Sequence, residues 1–208
     1  MSTLADYYDY VMPELPGITP PMLNFHIRQA AREFCNRTSV WRQALDAVNT
    51  VAGQATYALT VPTDATLVRL TRLSVNGKLL WIDAEPRDDE DPTYTRSNAP
   101  FSLSNDLTQI TLITEEIPEA SVTDGMAMTA ALQPTNTATI LPDFLLNQYV
   151  EAMRMGILYR LMLMPKKPWG DRALAMDYES RFNALVNHAA YQGDVGNTRK
   201  PLRVKSWG

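Results

Sequence analysis

PPMLNFHIRQAAREFCNRTSVW, residues 20–41, sets the expected architecture of this chain. Its apolar side chains recur at i, i+4, i+7 and i+11, the spacing of one helix face: Leu23, Ile27, Ala30 and Phe34. The two leading prolines are tolerated only in a first helical turn, so we predict a helix over about residues 20–38. After Trp41 the sequence alternates like β-strands for about ninety residues and then becomes helical again. A helix separated from its partner helices in this way indicates a helical body that carries a β insertion.

Length and composition place the chain among ordinary globular proteins. With 208 residues, 45% hydrophobic residues, 20% charged residues and a formal net charge of −4, it can bury a substantial core. No apolar run approaches the roughly 18–20 residues of a membrane-spanning helix, and the acidic, aromatic N-terminus is unlike a secretory signal. We therefore expect the protein to stay in the cytoplasm of the cell that makes it. Cys35 is the single cysteine, which rules out an internal disulfide and a thiolate metal cluster.

Positive charge is concentrated at the C-terminus. Residues 194–208 carry four basic side chains against Asp194, a net charge of +3, so the other 193 residues sum to −7. Such a tail can bind nucleic acid or dock on an acidic protein surface, and it can equally be a solvated end. Large aromatic side chains near both termini are expected to anchor flexible ends on a partner: Tyr7, Tyr8, Tyr10 and Trp207.

The region between Leu45 and Gln133 is predicted to contain six to eight short strands. Asn76-Gly77 lies between two strand-like runs, residues 66–75 and 78–83, and is the strongest short hairpin signal in the chain. The other predicted strands are residues 46–50 and 56–61, which flank a hairpin turn at Gly53, a further hairpin of residues 101–104 and 109–114, and a closing strand at residues 126–133. This pattern indicates a β-sandwich or an open barrel.

The helical pattern returns at Leu141. We predict one helix over residues 141–164, stopped by two prolines, and a last helix over residues 171–192 that Gly193 ends. The first of these is apolar on nearly every side, and such a helix must be buried on nearly every side. Three helices can hardly cover it within one chain, so we expect it to contribute to a subunit interface.

Together these elements predict an α+β fold. The N-terminal helix and two C-terminal helices form a helical body with an inserted antiparallel β-sandwich or barrel-like domain and an extended tail. The predicted regions are an N-terminal arm and helix at 1–41, the β domain at 42–135, the C-terminal helices at 136–193 and the basic tail at 194–208.

The sequence offers few candidates for chemistry. It lacks a phosphate-binding loop, a dinucleotide glycine pattern, a zinc-protease H-E-x-x-H and a G-x-S-x-G elbow. His26, His188 and Cys35 fall in predicted helices and are interpreted as structural residues. An acidic run lacks the spacing and turn glycine of a calcium loop, and is interpreted as a solvated loop able to select basic partners: Glu85, Asp88, Asp89, Glu90 and Asp91. We predict no catalytic residue, no metal site and no cofactor.

The N-terminal part of the chain carries a recognisable pattern. The run LNFHIRQAAREFCNRTSVWRQALDAVNTVAGQATYAL resembles the opening of head-to-tail adaptor proteins of short-tailed and some long-tailed bacteriophages. In that family a helix ending in REFC-x-x-[ST]-x-x-W leads into a strand and a G-x-x-x-Y-x-L hairpin. The matching positions are Arg32, Glu33, Phe34, Cys35, Thr38, Trp41, Gly53, Tyr57 and Leu59. The preceding PELPG element and the final helix pair with its basic tail are also similar, and the detailed match covers about residues 12–60.

The resemblance implies a virion structural protein and not an enzyme. Such proteins form a ring, usually of twelve copies, below the capsid portal at the head-tail junction, with a channel that double-stranded DNA traverses. An acidic body suits this passage, because a basic wall would hold phosphates. Portal contacts are expected in the tail, at Arg199, Lys200, Leu202, Arg203, Val204 and Trp207. Contacts between neighbouring subunits are expected at Arg28, Arg32, Met153, Ile157 and Leu161. Contacts with tail, nozzle or tail-fibre proteins are expected at Asp88, Asp89, Glu90 and Asp91.

Two other functions are alternatives. A tail-borne peptidoglycan hydrolase would need a carboxylate pair such as Glu85 and Asp88, yet the sequence places no acid in an apolar setting that would raise its pKa. A DNA-binding protein acting through residues 194–208 would show an affinity for DNA that falls steeply with salt.

Overall fold

A computed structural model describes residues 1–80 and 100–195, with the backbone alone for residues 194 and 195. The described chain folds into two compact units. Residues 1–40 and 133–195 form the first unit, which holds the helices, and residues 41–80 and 100–132 form the second, which holds most of the strands. The predicted α+β class is therefore confirmed. The boundaries proposed for four regions of the chain stay predictions.

The first unit is built from α-helices of very different length. Within the described residues they are α1 Tyr8–Val11, α2 Pro20–Thr38, α3 Asp143–Asn147, α4 Val150–Met162 and α5 Arg172–Val195. The predicted helix over residues 20–38 is confirmed as α2, and its apolar face is buried as expected: Leu23, Ile27, Ala30 and Phe34. Ser39 ends it with a left-handed backbone (φ 49°), the conformation that commonly closes a helix.

Two predicted helix limits are wrong. The helix expected over residues 141–164 is divided, because the backbone leaves helical geometry at Tyr149 (φ −123°, ψ 21°) between α3 and α4. The break lets the Tyr149 ring pack on Phe34, with 4.9 Å between ring centroids. The last helix also continues through Gly193 to Val195. A side chain at 193 would lie 3.2 Å from the carbonyl oxygen of Thr38, so this glycine allows close approach to the end of α2 and does not terminate α5.

The N-terminal segment is an ordered part of the first unit. Strand β1, Ser2–Thr3, pairs antiparallel with β10, Ile140–Leu141, and is followed by 3₁₀ turns at Leu4–Tyr7 and Met12–Glu14 on either side of α1. Its buried side chains recur along the segment: Leu4, Tyr7, Val11, Leu15 and Ile18. The expectation that Tyr7 anchors a flexible end on a partner is therefore wrong, since Tyr7 belongs to the core of its own chain.

The second unit contains two sheets. Its strands are β2 Arg42–Ala44, β3 Val48–Thr50, β4 Thr56–Ala58, β5 Ala65–Val75, β6 Lys78–Leu80, β7 Phe101–Leu103, β8 Gln109–Leu112 and β9 Val122–Pro134, the last of which runs two residues into the first unit. One sheet has the order β2-β9-β5-β6, with β3 also paired to β9, and the other has the order β4-β8-β7. The described strands form no closed barrel, and a sandwich packing of the two sheets stays a prediction.

Two of the three predicted hairpins are present. Asn76 and Gly77 both have positive φ (47° and 83°) and join β5 to β6, with Val75 opposite Lys78. Strands β7 and β8 also pair antiparallel as expected. The hairpin predicted around Gly53 is wrong: the chain turns there, but β3 pairs with β9 and β4 pairs with β8. The predicted closing strand lies within the longer β9.

Candidate functional site

Five of the residues predicted to make contacts lie in the part of the chain that the structure describes, and the others do not. The six tail residues expected to bind the portal and the five acids of residues 85–91 lie outside the described residues. The other five lie in the first unit, where Arg28 and Arg32 are half-exposed on α2 and the remaining three are on α4.

The α4 residues are core residues. Met153, Ile157 and Leu161 have no exposed surface within the single chain. Helices α2, α3 and α5 and the N-terminal α1 all pack on α4, so one chain covers a helix that is apolar on nearly every side. The prediction that these three side chains contact a neighbouring subunit is therefore wrong, because a fully enclosed side chain cannot reach a second molecule.

Glu33 is the centre of a polar cluster that links the three long helices of the first unit. Its carboxylate accepts from Arg37 Nη1 at 3.0 Å, from the hydroxyl of Tyr159 at 3.2 Å and from the guanidinium of Arg160. The Arg160 guanidinium lies over the Tyr159 ring, 4.4 Å from its centroid. Arg37 also donates to Asn183 Oδ1 on α5 at 2.7 Å. The i,i+4 ion pair between Glu33 and Arg37 is thus one part of a larger network.

Within this network the Tyr159 hydroxyl keeps its proton. Burial raises the pKa of Tyr159 to about 12, and the neighbouring Glu33 carboxylate adds to the shift while Arg160 opposes it. The tyrosine therefore remains a hydrogen-bond donor at neutral pH. Because three donors already share the Glu33 carboxylate, its oxygens are occupied as hydrogen-bond acceptors that brace the helices.

A polar cleft of about 400 Å³ opens beside this cluster. Polar and charged side chains from α2, α4 and the end of β9 line it: Gln29, Arg32, Glu33, Asn36, Gln133, Tyr159 and Arg160. Arg32 donates to the carbonyl oxygen of Pro134 at 3.2 Å, which orients its guanidinium along the wall. Amides and guanidinium groups of this kind suit the polar side chains of a protein partner.

The outward side of α2 adds an aromatic group to this surface. Phe25 is 51% exposed and stands edge-on to His26, with 5.2 Å between ring centroids. Arg28 and Arg32 follow it at i+3 and i+7, so all three side chains share one side of the helix. Exposed aromatic groups next to arginines are typical of protein interfaces. The two arginines were predicted contacts and Phe25 was not, although the helical period places Phe25 opposite the apolar face of α2.

A second polar cluster holds the N-terminal segment in place and was not predicted. Glu14 accepts from the Tyr178 hydroxyl at 2.6 Å and from the guanidinium of Arg154, which also donates from Nε to the carbonyl oxygen of Tyr10 at 3.1 Å. Arg154 is one of three charged residues in α4, which is otherwise mostly apolar. A charged group on a buried helix needs a partner, and this was the signal that could have revealed the contact.

The other candidates for chemistry are the two histidines and the single cysteine, and each is either buried in the fold or exposed on the surface. His26 is buried, its Nδ1 has no hydrogen-bond partner in the described structure, and burial together with nearby Arg160 lowers its pKa. Cys35 is fully enclosed, and burial raises the pKa of its thiol. His188 is exposed on α5. In the described residues these three groups form no arrangement with a nucleophile and its base.

Motif residues in the second unit also have structural roles. Gly53 has a positive φ of 76°, which suits glycine at a tight turn. The Tyr57 hydroxyl donates to the carbonyl oxygen of Gln54 at 3.0 Å and accepts from the backbone N–H of Val51 at 3.2 Å, so it closes that turn. Trp41 and Leu59 are buried. The G-x-x-x-Y-x-L pattern therefore encodes a braced turn.

Two further searches gave negative findings. Residues 1–80 and 100–195 contain no group of three or more His, Cys, Asp or Glu side chains arranged to hold a metal ion. No helix in the same part of the chain has the length and apolar character needed to cross a membrane.

The motif residues have structural roles in the fold, and the exposed groups on α2 stay predicted contacts. Over residues 2–205 the chain matches the family described as SU10 adaptor protein, and it belongs to this family of phage head-to-tail adaptors. The resemblance found through the REFC motif is thereby confirmed. No curated protein matches the chain. Membership identifies a structural adaptor of the phage virion, associated with the junction of head and tail.

Proposed function

We propose that this protein forms a ring of twelve copies that joins the phage portal to the tail or nozzle and continues the channel for double-stranded DNA. The observation that carries the proposal is the match to the adaptor family along residues 2–205. The ring is made in the host cytoplasm and becomes part of the virion at the head-tail junction.

The charge distribution supports a DNA channel in such a ring. Residues 1–193 sum to −7, while residues 194–208 sum to +3. Duplex DNA binds basic surfaces with an affinity that rises with each neutralised phosphate, so an acidic ring lets DNA slide through without being held.

The surface of the first unit supports contact between copies. Within the described chain it exposes several large apolar side chains, including Tyr10, Met12, Phe25, Met176 and Tyr191. Single exposed apolar residues are ordinary, but Phe25 lies beside Arg28 and Arg32, which remain our proposed contacts with a neighbouring subunit.

The portal contact is proposed for the basic tail, at Arg199, Lys200, Leu202, Arg203, Val204 and Trp207. The acids Asp88, Asp89, Glu90 and Asp91 are proposed to face the tail, nozzle or fibre proteins. Opposite charges on these two segments would direct them to different partners, since charge complementarity selects against wrong pairings.

The test is electron microscopy of portal rings mixed with the full chain and with a variant that lacks residues 196–208. This deletion begins after α5 ends at Val195, so the helical body stays complete. We expect the full chain to add a ring of density to the portal and the truncated chain to remain free, with unchanged thermal unfolding. Failure of the full chain to bind portal rings would overturn the proposed function, whereas normal binding by the truncated chain would overturn only the portal role of the tail.

A further inference from the structure

Two surfaces of the first unit carry opposite charges and exposed apolar side chains. We call Phe25, Arg28 and Arg32 the basic face, and we call Asp9, Tyr10 and Met12 the acidic segment. The basic face lies on the outward side of α2, and the acidic segment lies on α1 and the turn that follows it. Each offers exposed apolar area, with Phe25 51%, Tyr10 45% and Met12 42% exposed.

The charges on the basic face are not neutralised within the described chain. Arg28 forms no ion pair there, and its Nε is buried without a hydrogen-bond partner. Arg32 uses one nitrogen to donate to the carbonyl oxygen of Pro134, a neutral acceptor. An arginine in this state gains a charge-assisted hydrogen bond when a carboxylate approaches, and such bonds are stronger than neutral ones.

The acidic segment presents such a carboxylate on a rigid support. Asp9 is exposed and makes no ion pair among the described residues. The backbone next to it is held by Arg154, which donates to the carbonyl oxygen of Tyr10 and pairs with Glu14. A segment that is already ordered loses little conformational entropy when it binds, which favours its use as a docking element.

We propose that the acidic segment of one copy docks on the basic face of the next copy around the ring. Asp9 pairs with Arg28, and Tyr10 and Met12 pack against Phe25. This inference rests on the proposed ring and adds to it the surface that each neighbour contributes. In that ring each copy gives its acidic segment to one neighbour and receives the acidic segment of the other on its basic face, which is a head-to-tail contact of the type that closes rings.

Charge complementarity selects a second copy as the occupant. Every copy carries both surfaces on the same unit, so a ring satisfies all of them at once. Duplex DNA could neutralise the two arginines, but it would repel the carboxylate of Asp9 and leave Tyr10 and Met12 exposed. The amide-lined cleft formed by Gln29, Arg32 and Asn36 continues the basic face and can accept further polar side chains of the neighbour.

The first experiment is chemical cross-linking in the assembled complex. The Tyr8 hydroxyl donates to Asn24 Oδ1 at 2.7 Å, so positions 9 and 25 are near each other within one chain and the two cysteines are placed on separate copies. An equal mixture of the single variants Asp9→Cys and Phe25→Cys is bound to portal rings, checked by electron microscopy and treated with a short bis-maleimide. Cys35 is fully enclosed and does not compete for the reagent. We expect covalent dimers that join one copy of each variant, while a matched mixture of Asp9→Cys and Met176→Cys stays largely monomeric. Complete rings without such dimers would overturn this inference and leave the proposed function intact, whereas failure of the wild-type chain to form rings would overturn both.

The second experiment exchanges the charges. Arg28→Asp and Asp9→Arg should each raise the protein concentration needed for assembly about tenfold, and the double variant should restore it, as expected for a directly interacting charge pair. Both positions are at least partly exposed, so circular dichroism should show unchanged folding. A double variant as defective as the single ones would overturn the pairing. Normal assembly of both single variants, with weaker salt-dependent DNA binding by Arg28→Asp, would assign the basic face to DNA instead.

Discussion

Helix α4 and the outward side of α2 differ in a way that reverses a simple expectation. Helix α4 is apolar on nearly every side, yet the single chain encloses it, because the N-terminal segment packs on it together with α2 and α5. The outward side of α2 is polar on average, yet it holds the exposed Phe25, which is followed by two half-exposed arginines on the same side. Apolar composition therefore locates the core of this adaptor, and an aromatic group on a polar face marks the candidate contact.

The largest expected effect is on α4. Ile157→Ala should lower the free energy of unfolding by about 2–5 kcal/mol, because it leaves a cavity in a fully enclosed site. The matched control is Met176→Ala on α5, which is 61% exposed and should change stability by less than about 0.5 kcal/mol. Urea unfolding of both variants measures the difference. If Ile157→Ala and Met176→Ala lowered the free energy of unfolding equally, α4 would not be part of the core.

Gly156 tests how closely the helices pack around α4. A Cβ atom at this position would lie 2.8 Å from the Phe182 ring and 3.3 Å from Ala30. Gly156→Val should therefore cost about 1–3 kcal/mol through overpacking, despite the better helix propensity of a residue with a side chain. Ala184→Val on the exposed side of α5 makes a comparable change without a tight contact and should cost well under about 1 kcal/mol. Thermal unfolding of both variants measures the difference. Equal losses of stability in Gly156→Val and Ala184→Val would show that crowding against Phe182 and Ala30 is not what destabilises the first.

The clamp on the N-terminal segment should have a smaller effect. Glu14→Ala leaves Arg154 and the Tyr178 hydroxyl without their shared acceptor in a partly buried site, and should cost about 1–3 kcal/mol. Glu151→Ala removes the other carboxylate that pairs with Arg154. That pair is exposed, with 57% of the Glu151 side chain accessible, so its loss should cost about 0.5 kcal/mol or less. If both variants unfold at the same urea concentration, Glu14 does not hold the segment against α4 and α5.

The pH dependence of folding should report His26. Burial and nearby Arg160 lower the pKa of this residue below 6.5 in the folded protein, so the unfolded chain binds more protons as the pH falls through 6.5. The free energy of unfolding should therefore fall as the pH drops below 6.5, with a slope that corresponds to the uptake of at most one proton. The fall should end when the pH reaches the pKa of His26 in the folded protein. His26→Gln should reduce this slope relative to the wild-type protein. Chemical unfolding between pH 5 and pH 8 measures both slopes, about the range over which histidine charge changes.

The smallest expected change in stability belongs to the basic face. Phe25→Ser should alter the free energy of unfolding by less than about 0.5 kcal/mol, because more than half of the side chain is already in water. The same variant should weaken assembly on the portal, which sedimentation of the complex can measure. If Phe25→Ser lowered the free energy of unfolding strongly but assembled normally on the portal, Phe25 would be a core residue and not a contact residue.

Features encoded locally were predictable from the sequence. The apolar period and leading prolines defined α2, and Asn76-Gly77 placed a hairpin correctly because positive φ at both residues is a property of the turn itself. The family could also be identified from the REFC motif. These signals require only a few neighbouring residues.

Features that depend on distant contacts were not predictable. Strand β3 and strand β4 flank a genuine turn, but their partners are β9 and β8, which lie more than fifty residues further along the chain. The break before α4 has no glycine or proline, and it is stabilised by the packing of Tyr149 on Phe34. The burial of α4 was missed for the same reason, because residues 4–18 gave too weak a local signal to be recognised as part of the core.

The close approach of helices at Gly156 has an evolutionary consequence. Residue 156 shares one volume with Ala30 and Phe182, which lie on the two neighbouring helices. A relative with a larger residue at any one of these positions must carry a smaller one at another, or its helices must move apart. Within the adaptor family, the sizes of these three side chains should therefore change together, and an alignment of many members would show the exchange as compensating substitutions.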